Sequence, residues 1–363
     1  MIYLKIALFI SSLSGGGAER VASNLANYLS NNKFDVTILT MSDIEDTYTI
    51  NHSIKRDYLL RNSERKNIIY NNIMRYKNLK RYLIMHKEID CYIVMLPIPI
   101  FMLTSLRKYT NAKIIMAERN NPLSYKLYKR CLMKYAQNRC DGLVVQTKVI
   151  GDWYKVKNKI VIPNAINPEI LSIDEKMKED KKIVAVGRLD KQKNYPLLIN
   201  AFKKVYLDYP GLKVEIYGKG KLENKLKAMT KKMCLDDKII FKGYVNNISK
   251  QISNAKIFVM TSDFEGMPNA LIEAMCLGLP CISTDFDGGG ARELIENGIN
   301  GIIIKKNDEY GLVNSIKQLL DDEKLTNKIK NNAKELRRKL SYDTIYNEWK
   351  KYIEEVIEGK HIK

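Results

Sequence analysis

Twelve short apolar runs, alternating with helical patterns, constrain this chain more than any other feature. Ile6–Ile10, Phe34–Thr40, Cys91–Leu96, Lys113–Met116, Leu143–Gln146 and Lys159–Val161 form a first series. Ile183–Val186, Lys213–Tyr217, Ile239–Phe241, Ile257–Met260, Pro280–Ser283 and Gly301–Ile304 form a second. Each run is nearly continuous in hydrophobicity and rich in β-branched residues, as strands are when a parallel sheet is covered on both faces. Alternating β and α units predict an α/β fold, here two doubly wound, Rossmann-like domains facing each other across a cleft. A length of 363 residues agrees with two domains of ordinary size. The seam falls at Pro163–Asp180, where Pro163 and Pro168 bracket Asn164 and Asn167 and a charged run, Asp174–Lys182, follows. The expected division is 1–165, 166–340, and a C-terminal helical segment 341–363 that closes the second domain or crosses back to the first.

Composition narrows the function classes. No apolar run reaches the roughly 18–20 residues of a membrane span, and Ile6–Ile10 is too short for a signal-peptide core. The expected location is therefore cytoplasmic. Six cysteines without a C-x-x-C pair and three scattered histidines provide no zinc-type cluster, so no metal site is assigned and the thiols are read as reduced and mostly buried. The net charge of +20 points to a polyanionic partner, and residues 1–170 carry +13 of it.

Four motifs lie between a strand and a helix. Ser14-Gly15-Gly16-Gly17-Ala18-Glu19-Arg20 opens a helix with glycines that let backbone N–H groups approach an anion. It is not G-x-G-x-x-G, so a dinucleotide fold has weak support. In Gly187-Arg188-Leu189-Asp190-Lys191-Gln192-Lys193-Asn194, Arg188 and Lys193 combine a guanidinium fork with a point charge, a clamp suited to a diphosphate. In Phe264-Glu265-Gly266-Met267-Pro268-Asn269-Ala270-Leu271-Ile272-Glu273, Pro268 suits a first helical turn. Glu265 then precedes that helix and Glu273 lies inside it. Backbone N–H groups between them, around Met267, Asn269 and Ala270, are placed for a phosphate. The apolar neighbours of Glu273 predict a buried carboxylate that needs a partner. Finally, Asp285-Phe286-Asp287-Gly288-Gly289-Gly290 is a glycine-rich turn, and its D-x-D is read as coincidental rather than as a metal site.

In this order, and with Tyr217-Gly218-Lys219-Gly220 and Phe241-Lys242-Gly243-Tyr244, the motifs resemble those of the retaining glycosyltransferases of family 4, which have the GT-B fold. The similarity covers essentially the whole chain and is greatest to transferases that build bacterial surface polysaccharides or lipid-linked oligosaccharides. The resemblance implies a nucleotide-sugar donor, a UDP-sugar, and no further cofactor. It implies that Arg188 and Lys193 hold the donor diphosphate, that Glu273 binds the ribose and that Glu265 binds the transferred sugar. Gly16 and Gly17 would close on the diphosphate or sugar, while Gly218, Gly220 and the Tyr244–Asn246 turn would shape the base pocket. Where many relatives carry Glu-His, this chain has Glu118-Arg119-Asn120. Arg119 is thus a candidate catalytic residue whose contact is the donor, an acceptor phosphate or Glu118.

The expected acceptor is a glycan or a polyprenyl-diphosphate-linked saccharide, reached at the inner face of the cell membrane. Lys55–Arg81 holds nine basic residues against Asp57 and Glu64. Leu123–Arg139 reads as a basic helix without acids, with Tyr125, Leu127, Tyr128, Leu132 and Met133 among its charges. This composition suits an anionic leaflet. Two other readings are a GT-B-like sugar-nucleotide epimerase, and a basic nucleic-acid-binding protein. No histidine lies near a motif to serve the first, and no helix-turn-helix, zinc or RNA-recognition signature supports the second.

Overall fold

The computed structural model describes residues 3–173 and 180–360. Residues 174–179 of the charged run, and His361, lie outside the described residues.

Two parallel sheets form among the described residues. The first contains β1 (Lys5–Ile10), β2 (Asp35–Thr40), β3 (Lys55–Tyr58), β4 (Cys91–Met95), β5 (Lys113–Ala117), β6 (Gly142–Val145) and β7 (Lys159–Val161). Its order is β3-β2-β1-β4-β5-β6-β7. The second contains β8 (Asp180–Val186), β9 (Lys213–Tyr217), β10 (Ile239–Gly243), β11 (Ala255–Met260), β12 (Cys281–Thr284) and β13 (Ile302–Ile304), ordered β10-β9-β8-β11-β12-β13. Strand order reverses between β1 and β4 and again between β8 and β11. Ligands of open α/β sheets bind outside the carboxyl ends of strands at such reversals.

The chain divides into unit 1, Met1–Asn164 with Ile345–Lys363, and unit 2, Ala165–Thr344. Each has its own apolar core. In unit 1, Phe9, Tyr92, Val94, Ile114 and Leu143 pack beneath the covering helices. In unit 2, Ile183, Phe202, Ile216, Ile257 and Ile316 do the same.

β3 was not expected. Its sequence, Lys-Arg-Asp-Tyr, has no apolar alternation because it is an edge strand bonded on one side only. Side-chain bonds anchor it instead: Arg56 pairs with Asp46 at 2.8 Å, and the Tyr82 hydroxyl donates to Asp57 at 2.9 Å.

The helix Tyr342–Ile357 completes unit 1 from Ile345 onward. Trp349 and Tyr352 are fully buried. The Tyr352 hydroxyl accepts the Leu143 N–H at 2.8 Å and donates to the Asn158 carbonyl at 2.9 Å. A β-carbon at Gly142 would stand 2.6 Å from that hydroxyl, which explains the glycine. Among the described residues no helix is long and apolar enough to cross a membrane.

Three expectations need correction. Pro268 is the cap before the helix Asn269–Cys276, one residue earlier than a first-turn position, because its ψ of 117° is extended. Leu123–Arg139 is not one helix: a 3-10 turn at Pro122–Ser124 precedes the helix Leu127–Gln137. The cysteines are not mostly buried, since Cys131 and Cys234 are exposed and Cys140 is intermediate.

Candidate functional site

In unit 2 the loops after β8 and β11 meet across the strand-order reversal. The Gln192 carbonyl accepts the Asp263 N–H at 2.8 Å, and the Gln192 amide donates to the Phe264 carbonyl at 2.8 Å. The Thr261 hydroxyl donates to the Lys193 carbonyl at 2.8 Å. Asn194, in the left-handed region at φ 45°, donates to Asp263 at 3.1 Å and starts the helix Tyr195–Asp208. This lattice brings the ammonium of Lys193 to 2.7 Å from Glu265 Oε1, with both side chains only 13% exposed. The Ser262 hydroxyl donates to the same oxygen at 3.2 Å. Arg188 points into solvent, 74% exposed, 3.6 Å from Asp190 and donating to Gln192 Oε1 at 3.1 Å.

Glycines allow these loops to approach one another. A β-carbon on Gly218 would lie 2.0 Å from the Gly187 carbonyl oxygen, and one on Gly220 would lie 2.3 Å from the Leu189 carbonyl oxygen. Hydrogen bonds close the seam: Gly187 N–H to Tyr217 O at 2.9 Å, Leu189 N–H to Lys219 O at 3.0 Å. Gly187, at φ 154°, leaves room for the Lys193 stem. Gly218 and Gly220 are therefore required by backbone packing beneath Arg188, whatever ligand lies above.

Glu265 is further tied to the loop after β12, its N–H donating to the Asp287 carbonyl at 3.1 Å. The helix Asn269–Cys276 begins at Pro268 with no side-chain cap, so the N–H groups around Met267, Asn269 and Ala270 open its N-terminus. Glu273 is buried, as its apolar neighbours predicted, and accepts the Ser249 hydroxyl at 3.3 Å. Ser249 belongs to the short helix Ile248–Ile252, which follows the exposed Tyr244 and Asn246. Asp285 is paired with Arg292, and Asp287 with Lys306 at 2.8 Å. Among the described residues no group of three or more His, Cys, Asp or Glu side chains is arranged to hold a metal.

In unit 1, Gly16 has φ 143° and caps the helix Gly17–Asn31. A β-carbon there would stand 2.3 Å from Glu19 Oε2. The Tyr48 hydroxyl clamps this turn, donating to the Gly16 carbonyl at 2.9 Å and accepting its N–H at 3.2 Å. Burial raises the Glu19 carboxyl above its ordinary pKa.

The Glu118-Arg119-Asn120 turn follows β5 and is buried at its first two residues. Glu118 accepts the hydroxyls of Tyr154 at 2.5 Å and Tyr125 at 2.7 Å, and the N–H groups of Arg119 and Asn120 at 3.0 Å each. Burial nonetheless raises its pKa, and lowers that of the Arg119 guanidinium to about 10. Arg119 Nη2 donates to Asn164.

Of the basic side chains expected to face a membrane, Arg130 donates to the carbonyls of Tyr125 and Leu123, and Lys134 lies over the Trp153 ring at 5.6 Å. Leu127 and Tyr128 on the same helix are exposed apolar side chains, and so are Ile68, Ile69 and Ile73 on the helix Ile68–Met85.

Sequence reasoning missed Ser249, Ser262, Asn194 and Tyr48. Single polar residues in loops carry no periodicity, so only Asn194, before the Tyr-Pro helix start, left a signal.

The sequence family described as "Glycosyl transferases group 1" matches residues 167–336. The chain is 30% identical over 348 residues to the N-acetylgalactosamine-N,N'-diacetylbacillosaminyl-diphospho-undecaprenol 4-alpha-N-acetylgalactosaminyltransferase of Campylobacter jejuni, covering 91% of this chain and 94% of that one. Among solved structures, sucrose-phosphate synthase from Thermosynechococcus elongatus superposes with TM-score 0.84 at 16% identity, covering 98% of this chain and 100% of that one. Anabaena HepE, solved with UDP and glucose, superposes with TM-score 0.80 at 16% identity, covering 97% and 100%.

Proposed function

The chain belongs to the group 1 glycosyl transferases and has the GT-B fold, and on that premise we propose that it is a retaining, metal-independent family 4 enzyme that transfers a sugar from a UDP-sugar to a polyprenyl-diphosphate-linked or glycan acceptor. The observation that carries this reading is the Lys193–Glu265 pair at the β8/β11 reversal, with Arg188 exposed beside it. A leaving diphosphate gains charge as the glycosidic bond breaks. Lys193, Arg188 and the N-terminus of the Asn269–Cys276 helix supply positive potential for it without a metal. Glu265 serves the transferred sugar and Glu273, steadied by Ser249, the ribose. The acceptor hydroxyl attacks from the face the diphosphate leaves, and the diphosphate takes its proton. The Campylobacter relative's acceptor is named as an undecaprenol-linked saccharide, and HepE was solved with UDP. Both support the same classes here. The exposed isoleucines and tyrosine beside lysines support work at the inner face of the cell membrane, from the cytoplasm.

A thermal-shift screen against UDP-, GDP- and ADP-sugars tests the donor. A ligand at 100 times its Kd adds about 2.7 kcal/mol of stability. The UDP-sugar that stabilises the protein should then label an undecaprenyl-diphosphate-linked saccharide with an α-anomeric product, at a rate unchanged by EDTA. Stabilisation by no nucleotide-sugar overturns the reading, and a rate abolished by EDTA and restored by Mn²⁺ overturns metal independence.

A further inference from the structure

We propose that Arg119 is the anion-binding group of unit 1: its guanidinium takes a phosphoryl oxygen of a diphosphate, and Glu118 positions it. Arg119 is only 8% exposed. Its Nη2 donates to Asn164 Oδ1, an oxygen that also accepts the Gln146 amide at 2.8 Å. Its Nε and Nη1 are buried and have no hydrogen-bond partner among the described residues. A buried guanidinium in that state is costly, and a fold retains one where something else completes it. Glu118 does not complete it. Its Oε2 receives Tyr154, and its Oε1 receives Tyr125 and the two backbone N–H groups of the turn. That cage fixes the backbone from which Arg119 projects. The turn leaves the carboxyl end of β5, on the edge of the sheet where ligands of such folds bind. One side-chain hydrogen bond holds the guanidinium inward, so a turn about its outer bonds presents the unpaired donors to an arriving anion. Burial lowers its pKa only to about 10, so it remains cationic at neutral pH. A guanidinium with open donors matches a phosphoryl oxygen.

The diphosphate belongs either to the nucleotide donor or to a lipid-linked acceptor, and only that identity rests on the function proposed above. The test uses the full chain carrying Arg188→Ala and Lys193→Ala, which removes the two unit 2 cations assigned to a diphosphate. Calorimetric titration with inorganic pyrophosphate should give a Kd that rises at least about tenfold on adding Arg119→Met, and less on adding Arg119→Lys. Arg119→Met should leave Tm unchanged or higher, because it removes an unpaired buried charge. If that variant does not fold, Arg119→Lys carries the comparison. An unchanged Kd, or no pyrophosphate binding by the parent, overturns the proposal. In the chain with Arg188 and Lys193 intact, Arg119→Met weakening UDP identifies the donor as the source. Weakened geranyl diphosphate with unchanged UDP identifies the acceptor, and no change with either probe overturns the proposal. Loss of nucleotide-sugar binding by the unaltered protein would sink the function above and leave the pyrophosphate result readable.

Discussion

Lys193 Nζ lies 2.7 Å from Glu265 Oε1, and this pair joins the loops after β8 and β11. The sequence motifs assign the lysine to a diphosphate and the glutamate to a sugar, yet in the free protein each is the other's counter-ion. In the function proposed above, donor binding would exchange partners rather than fill unpaired groups: the diphosphate would draw the lysine, and the carboxylate released would be offered to sugar hydroxyls.

Lys193→Met should therefore lower Tm, because it leaves a largely buried carboxylate unpaired, at a cost of roughly 3 kcal/mol. Lys193→Met with Glu265→Gln should recover most of that Tm without recovering transfer activity. Thermal unfolding and rate measurements on the two single variants and the double variant check it. Additive losses in Tm would show that the pair is not coupled.

Substitution of Arg188 should separate binding from stability. It is 74% exposed and its contacts are weak, so Arg188→Ala should leave Tm within about 1 °C while reducing kcat/KM at least about tenfold. Glu273→Ala should reduce both, since it removes the buried carboxylate, leaving a cavity and taking away the acceptor of the Ser249 hydroxyl. Equal Tm losses in the two variants would contradict this contrast.

Gly218→Ala should distort the donor loops. Its β-carbon would overlap the Gly187 carbonyl oxygen, and Gly218 already sits at φ 136°. Donor affinity and Tm should fall together. Gly211→Ala, where nothing lies within 4 Å, is the control and should change neither. An unaltered donor Kd in Gly218→Ala would remove the loop seam from the site.

The pH dependence of stability should carry the mark of Glu118. Burial raises its pKa in the folded state. The folded protein therefore holds the proton more tightly than the unfolded chain, and stability falls as pH rises from the ordinary glutamate value of 4.5 through the elevated one. Glu118→Gln should flatten that segment of the curve. A decline identical to that of the unaltered protein would assign it to another group.

Membrane attachment should depend on apolar as much as on basic side chains. Flotation with vesicles containing anionic lipid should be reduced by Lys126→Ser with Lys129→Ser and by raised salt. It should also be reduced by Ile69→Ser with Ile73→Ser, whose side chains are exposed. Arg130→Ser should act through folding instead, because Arg130 is bound to the chain's own carbonyls. Absence of binding at low salt would point to a soluble acceptor.

Both sheets were legible wherever strands are covered on two faces, since continuous burial writes a continuous apolar run. β3 was not, because an edge strand made of Lys55, Arg56, Asp57 and Tyr58 obeys side-chain pairing rather than burial. The charged and glycine-rich loops of unit 2 were legible by residue type and position after a strand. Their pairing was not: nothing in the spacing of Lys193 and Glu265, 72 residues apart, marks them as neighbours. The burial of Glu273 could be read from its apolar flanks. That of Arg119 could not, because the groups around it, Gln146 and Asn164, are polar and distant in sequence.

The helix that brings Trp349 and Tyr352 into unit 1 makes that unit discontinuous in sequence. On a ribosome, Ala165–Thr344 is fully translated before the segment that seals unit 1 has emerged. Unit 2 can thus close first, while β6 waits for the hydroxyl that Gly142 makes room for. A nascent chain arrested before Ile345 should expose an unfinished first sheet to proteases and chaperones. A circular permutant that starts at Ile345 should instead present unit 1 whole at the outset, and invert the order in which the two units mature.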